Sequence, residues 1–100
     1  MKWYSSENDI SDLNVDNLRS SNDEIPLDKT KVNLIKDIFN NLEKGLPSRC
    51  LSIYRDVILH EGTRINLCLS CGDIMVNGKV TYLSDRDLQV LKNIKHGREN

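Results

Sequence analysis

Apolar positions set the clearest elements of the chain. From Asp28 onward Val32, Ile35, Ile38, Phe39 and Leu42 recur at helical spacing, while Lys29, Lys36, Asp37, Asn40 and Glu43 fall opposite. Asp28 is a favourable N-cap, and Lys44 followed by Gly45 is a common stop signal. The spacing predicts an amphipathic helix running from Asp28 to Gly45. After Leu46-Pro47 the period falls to about 2. Leu51–Val57 is expected to be a strand with residues 51, 53 and 57 on one face, and His60-Glu61-Gly62-Thr63 a turn. Ile65, Leu67 and Leu69 alternate with Asn66 and Cys68 to make a second strand. Ile74-Met75-Val76 and Lys79–Leu83 flank Asn77-Gly78, and both residues of a type I′ turn need positive φ, so a tight hairpin is predicted there.

Ser84 with Asp87 three residues later opens a last helix, whose stripe is Leu88, Leu91 and Ile94 and whose stop is Gly97. Residues 1–27 show little periodicity. Trp3-Tyr4 and Ile10–Leu18 are candidates for a short strand or helix, and Ile25-Pro26-Leu27 is expected to be extended because the residue before proline avoids helical dihedrals. The fold class that follows is α+β, a single domain over residues 1–100. A partly packed acidic segment, 1–27, precedes a core, 28–100, in which an antiparallel meander of about four short strands packs against two amphipathic helices on one face.

Composition fits that frame. With 38% hydrophobic and 29% charged residues in 100, the chain can fill one core but not two. No run approaches the roughly 18 apolar residues of a membrane helix, and Met1–Ser6 lacks the apolar centre of a signal peptide, so a cytoplasmic location and no membrane partner are expected. In that setting the three cysteines are expected to be thiols or metal ligands rather than disulfides.

Charge is less even than the net −1 implies. Residues 1–24 hold Glu7, Asp9, Asp12, Asp16, Asp23 and Glu24 against Lys2 and Arg19, a net −4 that leaves +3 for the remainder. Ile10, Leu13, Val15 and Leu18 interrupt the acidic run, which suggests a segment that packs while turning carboxylates outward. Such a surface is either simply solvated or a docking face for a basic partner, where charge complementarity speeds association.

Cys68-x-x-Cys71 invites a metal or redox interpretation. A structural zinc site needs four ligands; beside Cys68 and Cys71 the candidates are Cys50 and His60 or His96, and a Cys50–His60–Cys68–Cys71 set is possible if the two strands pair side by side. A redox pair needs its first cysteine at a helix N-terminus, whereas Cys68 follows an alternating strand. The simpler expectation is a buried small hydrophobe at Cys68 and a bend at Cys71-Gly72. Other chemistry is thin. His60 and Glu61 adjoin on a turn where neighbours usually point apart, and Asp85 and Asp87 complement a helix dipole. No phosphate loop, nucleophile elbow or His-Glu-x-x-His occurs, so no catalytic residue and no cofactor is expected. Arg49, Arg55 and Arg64 could share neighbouring strands, yet a pI near 6.1 and five aromatics disfavour direct nucleic-acid binding.

The Arg49-Cys50 pair and the Leu67-Cys68-Leu69-Ser70-Cys71 strand resemble small bacterial proteins with an upstream Cys and an Ile-Cys-Phe-x-Cys-like strand, with Leu69 in place of Phe. As a type, a small acidic-faced chain also resembles bacterial toxin-immunity proteins, including those of contact-dependent growth inhibition. That resemblance implies a non-catalytic, cytoplasmic inhibitor of a nuclease-type toxin. Its carboxylates Glu7, Asp9, Asp12, Asp16, Asp23 and Glu24 would face the basic active-site cleft of the toxin. The alternative is a zinc-stabilised interaction module built on the cysteines and a histidine.

Overall fold

The computed structural model describes residues 1–10, 13–21, 23–42, 53–76 and 79–97. Among these residues nine elements follow one another: β1 (Lys2–Ser5), α1 (Val15–Ser21), β2 (Asp23–Ile25), α2 (Lys29–Asn40), β3 (Asp56–His60), β4 (Thr63–Cys68), β5 (Asp73–Val76), β6 (Lys79–Tyr82) and α3 (Asp85–Lys95). The fold is α+β, but its sheet has six strands rather than about four, ordered β2-β1-β3-β4-β5-β6, and every neighbouring pair is antiparallel. β3 to β6 form the expected meander. The two additional strands come from the acidic first quarter, where β1 inserts between β2 and β3.

Both capped helices begin where the sequence places them. Asp28 accepts the Lys31 amide at 2.8 Å and Ser84 accepts the Asp87 amide at 3.2 Å, each satisfying a donor that the first helical turn leaves free. α2 ends at Asn40, short of the predicted Gly45, with Asn41 as C-cap; Gly45 lies outside the described residues. The β3–β4 hairpin is closed by Glu61 (φ 50) and Gly62 (φ 79), the two positive angles of a type I′ connection. β5 and β6 pair as predicted, Val76 opposite Lys79, while Asn77-Gly78 itself lies outside the described residues.

The first strand of the meander differs from expectation. Among the described residues it runs from Asp56 to His60, past the predicted end at Val57, and residues 53–55 are not in the strand; Leu51 and Ser52 lie outside the described residues. The cause is burial on both sides. Ile58 sits in the main core with Trp3, Ile65, Leu67, Ile74, Ile35, Ile38, Leu91 and Ile94, whereas Val57 sits with Tyr4, Ile10 and Leu18 in a second cluster. A strand covered on both faces loses the alternation that would mark it. The sheet therefore carries α2 and α3 on one face and the α1 segment on part of the other, not helices on one face alone.

A buried ion pair locks the first face. Asp56, 2% exposed, accepts from Trp3 Nε1 at 3.0 Å and from Lys95 Nζ at 3.1 and 3.2 Å. One carboxylate thus joins β1, β3 and α3, elements far apart in sequence.

Candidate functional site

The acidic first quarter forms a corner of the molecule at β1, β2 and the connection between them. β2 is an edge strand of three residues, two of them the exposed Asp23 and Glu24. Short, charged edge strands resist pairing with other chains, so this edge offers side-chain charge rather than a free ladder. Ser5 pairs with Asp23, which brings the end of β1, and the exposed Glu7 and Asp9 just beyond it, to the same end of the sheet as β2. Asp16 lies exposed in the first turn of α1, where Asn14 accepts the Asn17 amide at 2.8 Å as a cap.

Three devices fix this corner to the sheet. Backbone hydrogen bonds of 2.9 Å run from Ser6 to Arg55 and from Ile10 to Tyr54. Ile10 and Leu18 bury against Tyr4 and Val57. Arg64, on β4, donates Nη2 to the Ile10 carbonyl at 2.8 Å and Nη1 to the Leu13 carbonyl, while its Nε contacts Asn66 Oδ1 at 3.2 Å. A guanidinium with several donors in a fixed plane suits this role, since it satisfies two carbonyls of a non-repetitive segment at once. The acidic segment is thus stapled down and its carboxylates are left outward.

Among the six carboxylates expected to bind a partner, Glu7 and Asp9 are exposed just beyond β1, Asp23 and Glu24 are exposed on β2 and Asp16 is exposed on α1, while Asp12 lies outside the described residues. Cations accompany them: Arg19 on α1, Lys2, whose ammonium reaches Glu24 at 3.6 Å, the Arg64 guanidinium of the clamp, and the exposed Arg55, whose carbonyl accepts from Ser6. An exposed pair such as Lys2–Glu24 contributes little stability. Arg64 was a candidate for a basic strand face; it is spent on the clamp. Arg55 is exposed, and Arg49 lies outside the described residues.

The cysteines differ from expectation. Cys71 is disulfide-bonded, not a free thiol, while Cys68 is free and 1% exposed, as a small hydrophobe would be. A disulfide sulfur is not the thiolate that zinc requires. The four-ligand set also fails on geometry. His60 pairs with Thr63 at one end of the β3–β4 hairpin, and Cys68 is five residues along β4 from there, roughly 17 Å at strand rise. Among the described residues no three His, Cys, Asp or Glu side chains come together as a metal site, and Cys50 lies outside them. The bend between strands is where the sequence puts it: Cys68 O accepts from Cys71 and Gly72 at 3.3 and 2.7 Å, and Gly72 takes φ 84. His60 and Glu61, expected to diverge, come within reach of each other, with Nε2 3.9 Å from Oε1.

Sequence reasoning did not find the Arg64 clamp or the Trp3–Asp56–Lys95 contact, since neither has a local signature. Comparison with known protein families, curated proteins and solved structures returns no match for this chain. Among the described residues no helix is long and apolar enough to cross a membrane.

Proposed function

We propose that this chain is a non-catalytic binding protein that docks its acidic corner onto a basic protein surface, in the manner of an immunity protein covering the cleft of a nuclease-type toxin. Exposed carboxylates on and beside a packed, clamped segment, Glu7, Asp9 and Asp16, with Asp23 and Glu24 on the edge strand β2, support this most directly. A partner that binds phosphates presents the opposite charge, and complementary charge raises encounter rates and rejects other acidic surfaces. Holding the segment in place beforehand lowers the ordering cost of association.

The disulfide at Cys71 bears on location. Such bonds persist in oxidising compartments and are rare in the cytosol, so it favours an oxidising address over the cytoplasmic one expected from the sequence.

Glu7, Asp16 and Asp23 are exposed, and their reversal in E7K/D16K/D23K leaves the packed positions intact. Immobilised wild-type chain and this variant, used as matched baits, test the proposal. The expected result is a basic nuclease retained by the wild-type chain alone, whose activity is lost when the wild-type chain is added at equal concentration. Identical capture by both baits, or a captured enzyme that stays fully active, would overturn it.

A further inference from the structure

At the opposite end of the sheet from the acidic corner, a half-open groove of about 760 Å³ runs between the end of α2 and strands β4 to β6. That volume is within the range of small-molecule sites. Its apolar lining comes from Phe39 and Leu42 at the end of α2 and from Ile65 and Val76, which are paired across β4 and β5. Lys36 and Lys79, both exposed, stand at its rim from opposite sides, one on the helix and one on the edge strand. Among the described residues lining it Glu61 is the single carboxylate, and it is turned toward His60. Thr81 lines the same groove, and its buried hydroxyl oxygen has no hydrogen-bond partner among the described residues.

An apolar trough with ammonium groups at its rim selects one ligand chemistry. We propose that this groove binds a small amphipathic anion, an aliphatic chain carrying a carboxylate, with the chain over Phe39, Leu42, Ile65 and Val76 and the carboxylate between Lys36 and Lys79. The site is separate from the acidic corner in both position and sign of charge, so it does not depend on the docking proposal. It gives the chain a second, metabolite-sized ligand.

Octanoate is a suitable probe, with 1-octanol as its uncharged counterpart of equal chain length. Titration of the ¹⁵N-labelled chain with octanoate is expected to give saturable amide shifts at Lys36, Phe39, Ile65, Val76 and Thr81. Octanol should shift the same amides with an affinity about tenfold lower, the scale of two partly solvated ion pairs. In K36Q/K79Q, whose changes are at exposed positions, octanoate binding should fall to the octanol level while the rest of the spectrum is preserved. Absence of saturable shifts, shifts spread outside the groove, equal affinity for octanoate and octanol, or unchanged binding in K36Q/K79Q would each overturn the proposal.

Discussion

Replacing Lys95 by Met tests how the buried ion pair holds the sheet to α3. The side chain of Asp56 is 3% exposed and that of Lys95 25%, so the two partners are not equivalent. Lys95→Met leaves a carboxylate in the core with only the Trp3 indole N–H, and removing one member of a buried pair costs roughly 3–5 kcal/mol. The partial exposure of Lys95 shows that water reaches the pair from one side, which places the expected loss near about 3 kcal/mol. Asp56→Asn is milder. It keeps an acceptor for Trp3, and the freed ammonium can extend to solvent along its own alkyl stem, so a cost of about 1–2 kcal/mol is expected. The double variant should be more stable than Lys95→Met alone, because no charge is then left in the core. Urea unfolding followed by the fluorescence of Trp3, the single tryptophan, reads all three variants. A loss under about 1 kcal/mol in Lys95→Met, or a larger loss in Asp56→Asn than in Lys95→Met, would refute the asymmetry.

Two further outcomes follow from the geometry. Arg64→Met removes charged donors from the Ile10 and Leu13 carbonyls and should cost about 2 kcal/mol, with faster hydrogen exchange at Leu13 and Leu18 while β4 and β5 stay protected; uniform loss of protection would deny a clamp specific to the acidic segment. Alkylation of the air-exposed protein without reductant, read by peptide mass spectrometry, should leave Cys71 unmodified even after unfolding and modify Cys68 only after unfolding; alkylated Cys71 without reductant would show that its disulfide does not form.

How much of this was legible depended on whether a signal was local. The caps at Asp28 and Ser84, the turn at His60–Thr63 and the β5–β6 pairing all follow from a few adjacent residues, and the structure places them accordingly. Trp3-Tyr4 reads from sequence as either a short strand or a helix, and the structure makes it β1 through its pairing with β3, Trp3 opposite Ile58, while β2 gives no periodic signal because it is three residues long and mostly charge. β3 was misplaced because Val57 and Ile58 bury on opposite faces, which replaces alternation with a continuous apolar run. The carboxylates of the acidic corner could be counted in the sequence. What holds them could not, since Arg64 meets Ile10 and Leu13 across more than fifty residues and looks from sequence like any strand arginine. The state of Cys71 was misjudged for a similar reason: neighbouring residues fix the bend it occupies but not whether its sulfur finds a partner.

The association rate of the chain with its basic partner, followed by stopped-flow mixing across a salt series for the wild type and E7K/D16K/D23K, tests the acidic corner most directly. Electrostatic steering predicts that the variant associates at least about tenfold more slowly at low salt, and that the two curves converge as salt screens the field. Rates that coincide at every salt concentration would show that the partner is met by another surface.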